Sequence, residues 1–346
     1  MVDVTVMGAG IFGLSIAWCC VRKGARVRVV DPYRPGAGSS GGLVGALAPH
    51  TPENWNEKKA FQFDSLIAAE SFWAEVDGAS GVSSGYGRVG RLQPIADDRA
   101  LALARQRVEG ARDLWQRKAD WSVVEAAEVG DWAPETPTGL LIHDTLSARI
   151  NPRGAVASLV AAAKAKGAEV TTETHSADGM VIWATGYEGL AALSDEFGQP
   201  VGSGVKGQSA LLALDAREMP QLFADGLHVV PHEDGTVAVG STSERDFDRP
   251  DTTDDQLDDV LRRAEDVFPV LRHARTIERW AGVRPRARTR APMLGAYPGR
   301  VGHFIANGGF KIGFGMAPKV GQVMADLVLD NIDDIPAEFQ VEANLR

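Results

Sequence analysis

VTVMGAGIFGLSIAWCCVRKGARVRVVD, residues 4–31, restricts the fold of this chain more than any other stretch. A short β-rich run, Val4 to Met7, leads into Gly8-Ala9-Gly10-Ile11-Phe12-Gly13. An apolar helix follows to about Lys23, Gly24 stops it as glycine does at helix C-termini, and the alternating Arg26–Val30 run finishes at Asp31. Each part has a physical task. Gly8 permits the tight turn, Gly10 lets the backbone approach a pyrophosphate, and Gly13 lets the helix pack on its strand. The helix N-terminus offers free N–H groups to phosphates, and Asp31 is placed to accept from a ribose hydroxyl. The spacing predicts a βαβ dinucleotide site that opens an α/β domain. Cys19 and Cys20 fall inside the helix, where they read as small core residues behind the nucleotide.

Composition adds limits. The chain has 346 residues, enough for two cores. Its formal net charge of −10 argues against nucleic acid as a main partner. The two cysteines are adjacent, so no disulfide framework exists, which is compatible with a reducing compartment. No apolar run reaches membrane-spanning length and no leader precedes the first strand, so the reading is a cytoplasmic protein without a membrane partner. A homo-oligomer is compatible with the sequence.

The fingerprint alone does not choose between NAD and FAD. Residues 180–187, MVIWATGY, form an apolar strand ending in Ala184-Thr185-Gly186, after an alanine-rich helix in 150–170. A strand that returns to the first domain and ends in this way is frequent in FAD proteins. Near the C-terminus, NGGFKIGFGMAPKVGQ (307–322) carries four glycines around one lysine, poor material for a regular element interior.

The chain resembles the glycine oxidase and D-amino-acid oxidase family of flavoproteins. Six segments carry the likeness in order: GSSGGLVGALAPH (38–50), ARINPRGAVASLVAAAKAKGAEV, VKGQSALLAL (205–214), HVVPHEDGTVAVGST (228–242), RWAGVRPRARTRAPMLG (279–295) and NGGFKIGFGMAPKVGQVMADLV (307–328). The resemblance implies non-covalent FAD, since the cysteine that links FAD in some relatives has no counterpart. It implies that Ser39, Ser40, Leu43 and Val44 run beneath the flavin, that Gly282 adjoins it, and that Gly308, Gly309, Phe310, Lys311 and Ile312 pack against its ring. Glycines 313 and 315 are read in the same way, and the helix MAPKVGQVMADLVLD points its N-terminal dipole at the flavin. Departures exist as well. Only TTETHSADG separates Val170 from Met180, where relatives have a longer hairpin, and Thr289-Arg290 stands where the family usually has Asp-Gly.

Members of the family pass a hydride from the carbon bearing an amine to flavin N5, and the imine hydrolyses. The implied substrate is a small amino acid or secondary amine, with oxygen or an electron carrier as acceptor. The protein must then anchor a carboxylate. Arg284, in Gly-Val-Arg-Pro, matches the position where glycine oxidase relatives hold it, and a guanidinium suits a carboxylate. Lys311 sits in a Gly-Phe-Lys like that of sarcosine oxidase relatives. His228 matches a pocket tyrosine of glycine oxidase and could titrate near neutrality; the plain alternative is a partly exposed histidine at a strand end. His50 follows the flavin loop and is read as a candidate lining residue.

Arg284, Arg286, Arg288 and Arg290 alternate, and in an extended strand all four share one face. The plain reading pairs them with acids of 244–265; the sharper one is an anionic substrate larger than glycine. His228 and His232 are four apart but Pro231 lies between them, so no metal site is expected. The expected architecture is a Rossmann-type FAD-binding domain from 1–80, 140–205 and 272–346, with an antiparallel-sheet substrate domain from 81–139 and 206–271. Rival readings are a dehydrogenase serving a carrier, a tRNA-wobble-uridine modification domain and a non-catalytic flavin-binding protein. Ser243 stands near the place where sarcosine oxidase relatives keep an oxygen-activating lysine.

Overall fold

The computed structural model describes residues 2–173 and 177–346. Part of the shortened 171–179 connection therefore lies outside the described residues.

Two sheets organise the chain. The first has six strands in the order Met293–Ala296, His303–Asn307, Met180–Trp183, Val4–Met7, Val27–Val30, Glu169–Thr171. The inner pairings are parallel, and only the edge strand Met293–Ala296 runs antiparallel to its neighbour. Val4 and Val6 are fully buried and so is Thr5 between them, as a central parallel strand covered on both faces requires. The helix Ile11–Arg22 follows; every residue from Ile11 to Val21 is buried. It packs against the helix Gly313–Asp330 and the helix Pro152–Ala165, whose first turn is capped by the Asn151 side chain. The two cysteines lie in this core, where burial pushes the Cys19 thiol up to about 12 and raises Cys20 as well, so both are inert.

The second sheet has eight strands in the order Arg275–Ala287, Gly202–Ala213, Val237–Gly240, Leu227–Pro231, Gln221–Ala224, Arg91–Pro94, Leu140–Asp144, Trp121–Glu125. All neighbours are antiparallel except Gln221–Ala224 beside Arg91–Pro94. The helix Asp255–Val267 starts at an Asp254 cap and buries Leu257, Val260 and Ala264 among Leu222, Val229 and Val239 of this sheet. Leu140–Asp144 and Arg275–Ala287 are members of this second sheet, on the far side of boundaries set at 140 and 272 from the sequence.

Gly202–Ala213 and Arg275–Ala287 pair along their whole length, from Gly202 opposite Ala287 to Ala213 opposite Arg275. One end packs with the first sheet, where Ala287 meets Leu190, Met293 and Ile305. The other end packs with the second, through Ala210 and Leu212. This long ribbon therefore carries its middle residues, Trp280 to Arg286, across the gap between the two cores.

Candidate active site

A cavity of about 570 Å³ opens there, at the carboxyl ends of the parallel strands. Met7, Asp31, Ala184 and Asn307, each at or just past a strand end, line one wall; Trp280, Gly282 and Arg284 of the ribbon line another. Of the residues singled out from the sequence, Gly8, Gly10, Ile11, Phe12, Asp31, Ser39, Ser40, Leu43, Val44, Ala184, Thr185, Gly186, Gly282, Arg284, Gly308, Gly309, Phe310 and Lys311 all line it.

The dinucleotide end is built from backbone donors and two side-chain acceptors. Asp31 accepts from the Ala9 N–H at 2.7 Å and from the Tyr33 N–H at 3.0 Å, which fixes its carboxylate at the rim. Ser40 accepts from the Ile11 N–H at 2.9 Å, so one first-turn donor of the helix is already engaged. A Cβ on Gly10 would meet only Ser40 Oγ, at 3.3 Å, and would otherwise project into the open cradle. That is the space a pyrophosphate needs, and the residues present fit FAD: a cradle at a helix N-terminus, an acid for the ribose, and a broad apolar slot beyond.

Five predicted residues lie off the cavity wall. Ala9 is fully buried and acts through its N–H on Asp31. Gly13 serves packing, since a Cβ there would sit 2.0 Å from the Gly8 carbonyl oxygen. Ile312 packs against the main core. His50 is turned to the helix Glu57–Ser80: its backbone N–H donates to Gln62 Oε1 at 2.8 Å and its Nδ1 meets the same oxygen. Burial lowers its pKa. His228 lies within the strand Leu227–Pro231, opposite Gly240, with its ring 4.6 Å from that of Phe223. Burial, and then the cations Arg91, Lys311 and Arg284, push it down to about 3, so it does not titrate near neutrality. The late glycine segment also divides. Gly308, Gly309 and Gly313 line the cavity, but Gly315 faces Leu66 and Leu47 inside the helix packing. The C-terminal helix starts at Gly313, earlier than the sequence reading, so its first turn is cavity wall.

Arg284 is the centre of charge. Among the described residues its guanidinium has no carboxylate partner: it donates to Ser241 Oγ at 2.6 Å and to the Thr242 carbonyl at 3.3 Å. The nearest acid acting on it is Glu244, whose carboxylate is held instead by Gln208 at 3.0 Å and Lys206 at 3.4 Å. Burial pulls the Arg284 pKa down to about 10. Lys311, on the turn Phe310–Ile312, is lowered by burial and then by Arg284. Two cations thus line one wall, Arg284 partly buried and Lys311 exposed, and among the described residues neither forms an ion pair. For the partly buried Arg284, a bound anion offsets the cost of a charge without an acid partner.

The alternating arginines do not form one row. The strand ends at Ala287 and Arg290 sits in a turn with φ of 63°, so only Arg284 and Arg286 share the strand's face. Among the described residues, acids of 244–265 form no ion pair with any of the four; Glu244 and Asp254 pair with Lys206, Asp258 with Arg279 and Asp259 with Arg262.

Sequence reasoning missed Gly207 and Trp280. Gly207 lies on the neighbouring strand, and a Cβ there would fall 2.0 Å from an Arg284 nitrogen, so the guanidinium lies flat across its backbone. Trp280 lies across Gly282, whose Cβ would fall 2.4 Å from the indole. The alternation Trp280, Gly282, Arg284 was the available signal: one strand face with a bulky ring, a gap and a charge.

Comparison with known proteins agrees with this geometry. The family model for DAO, FAD dependent oxidoreductase, matches residues 3–327. A glycine oxidase of Pseudomonas putida is 28% identical over 387 residues, with 99% of each chain covered. The fold matches the crystal structure of iminodiacetate oxidase from Chelativorans with a TM-score of 0.83 at 24% identity, covering 98% of each chain. Glycine oxidase from Geobacillus kaustophilus gives a TM-score of 0.83 at 20% identity, again over 98% of each chain. With a family match over nearly its whole length, the chain belongs to the DAO family of FAD-dependent oxidoreductases, and FAD is its cofactor.

Proposed function

We propose that this enzyme oxidises the C–N bond of a small amino acid or secondary amine that carries a carboxylate, and that Arg284 and Lys311 hold that carboxylate. The observation that carries the reading is the partly buried Arg284 on the cavity wall, which has no acid partner among the described residues, with the exposed Lys311 beside it. When bound, FAD supplies the two-electron acceptor whose N5 receives the hydride from the carbon bearing nitrogen.

The chain's own residues bind, orient and shield. Gly8 to Phe12, Asp31 and Ser40 hold the dinucleotide. Arg284 offers two nitrogens to the substrate carboxylate, a bidentate match that fixes orientation as well as position. Ser241 and the Thr242 carbonyl hold the fork in place, and Gly207 leaves it room. Lys311 adds a second cation. His228 stays neutral at working pH and lies off the cavity wall, so it adds no charge to the site. Trp280 and Phe310 close the apolar walls. Relatives support the substrate class: two carry the names glycine oxidase and iminodiacetate oxidase, both for amines bearing carboxylates.

The test is a titration of the holoenzyme with acetate, read as a perturbation of the bound flavin's absorbance. Arg284→Leu is expected to retain FAD and to weaken acetate by about a hundredfold, the loss of a charge-assisted bidentate contact. Unchanged acetate binding in that variant overturns the anchor assignment.

A further inference from the structure

A second hollow, of about 260 Å³, is lined by Pro200, Gly202, Ser203, Arg286, Ala287, Arg288 and Arg290. Arginines give it a strong positive character, Arg286 and Arg290 in its lining and Arg245, outside the lining, acting on Arg286. Arg286 projects from the ribbon face that also carries Arg284. Arg290 comes from the turn after the strand, and its carbonyl accepts from Lys58 Nζ at 3.1 Å, which ties the turn down. Arg245 comes from the loop after Glu244. Among the described residues, none of these three guanidinium groups makes a hydrogen bond or an ion pair.

This is not a shortage of acids. Acidic residues outnumber lysines and arginines, 46 to 36, and several arginines elsewhere are paired: Arg153 with Glu278, Arg279 with Asp258, Arg217 with Asp215, Arg300 with Glu196. Here burial, and then Arg290 and Arg245, both cations, lower the Arg286 pKa. Like charges brought together without an acid repel one another, and an anion bound among them removes the repulsion.

The hollow is connected to the active site through one ring. The Arg286 guanidinium carbon lies 5.7 Å from the centre of Phe310, and Lys311 Nζ lies 5.8 Å from the same ring. Phe310 lines the main cavity, and the backbone bridge between Arg286 and Gly309 fixes the strand to the glycine segment. Arg284 and Arg286 are two residues apart on one strand face, roughly 7 Å along the strand. That interval separates a carboxylate held by Arg284 from a second one held by Arg286.

We infer that the substrate is dianionic, a short amine bearing two carboxylates, with one held by Arg284 and Lys311 and the other by Arg286, supported by Arg290 and Arg245. This rests on the proposed function, since it adds a second subsite to the same reaction. The chemistry is otherwise unchanged: a hydride leaves carbon for the flavin, a proton leaves nitrogen, and water adds to the imine.

The experiment compares succinate with butyrate, the same carbon chain with one carboxylate fewer, as ligands of the holoenzyme by flavin absorbance. The parent enzyme is expected to bind succinate at least about tenfold more tightly than butyrate, the scale of one charge-assisted contact. Arg286→Gln should erase that preference, and the exposed Arg290→Gln should narrow it, which keeps the test open if the first variant folds poorly. Equal affinity for the two ligands in the parent, with both still lost in Arg284→Leu, overturns the second subsite and leaves the amine oxidase reading standing. Butyrate binding that survives Arg284→Leu, or no perturbation by either ligand, overturns both.

Discussion

Gly207→Ala is the perturbation that most directly examines how the anchor is built. Gly207 lies opposite Gly282 on the paired strands, beneath the Arg284 side chain. A methyl at Gly207 would fall 2.0 and 2.1 Å from the two terminal nitrogens and 2.2 Å from the guanidinium carbon. Those atoms are the end of a flexible side chain, so the fold tolerates the methyl and the guanidinium moves. Ordinary contact demands a shift of more than about 1 Å, and a misplacement of that size costs on the order of a hundredfold when a bound geometry must be met. Losing the Ser241 and Thr242 bonds as well brings the total to roughly 3 kcal/mol of ligand binding. The assay is the acetate dissociation constant of the FAD-loaded variant, with flavin content and melting temperature measured alongside. Gly207→Ala should weaken acetate by about a hundredfold while FAD remains bound. The double variant with Arg284→Leu should be no worse than Arg284→Leu alone, because both changes remove one interaction. Parent-like acetate binding in Gly207→Ala, or full additivity in the double variant, would refute the reasoning.

Other outcomes follow from the same geometry. Gly10→Val should fold, because its Cβ meets nothing nearer than Ser40 Oγ at 3.3 Å, yet it should purify without flavin, as read by absorbance per mole of protein. Lys311→Met should keep FAD and weaken acetate by roughly tenfold, the loss of one charge-assisted contact; parent-like affinity would place the lysine outside the site. His228 is pushed down to about 3 in the folded protein. As pH falls below the ordinary histidine value the unfolded chain gains a proton that the folded chain refuses, so stability drops with acid. At about pH 5 the penalty is roughly 2 kcal/mol. His228→Gln should lose correspondingly less stability between about pH 7 and pH 5 in denaturant unfolding with excess FAD; equal losses would contradict it.

The nucleotide half was legible because its signals are local. Strand, glycine turn, helix and acid follow one another within 28 residues, residues 4–31, and their physical tasks follow from spacing alone. The anchor was legible only through resemblance, since nothing within Gly-Val-Arg-Pro says what the arginine faces. What remained hidden was long-range. Gly207 matters because a residue 77 positions later lies across it (284 − 207), and strand pairing is not written in either segment. The plain reading of His228 as a partly exposed strand histidine agrees with its intermediate exposure, but its lowered pKa was not legible, because it comes from burial of the ring and from cations on other elements. The arginine row read as one face because the end of the strand at Ala287 was not foreseen. Gly315 was grouped with its neighbours although the helix turns it onto Leu47 and Leu66, where small size serves packing.

The central claim is that this flavoprotein oxidises a carboxylate-bearing amine, and anaerobic bleaching of the oxidised flavin band tests it most directly. The holoenzyme is mixed under argon with glycine, sarcosine, proline, both series of amino acids and amino dicarboxylates, and air is then admitted. The account predicts that one carboxylate-bearing amine group bleaches the band, and that its decarboxylated counterpart does not; recovery of colour in air identifies oxygen as an acceptor, and its absence a carrier. A flavin that stays yellow with every amine, or one bleached equally by amines with and without a carboxylate, would contradict it.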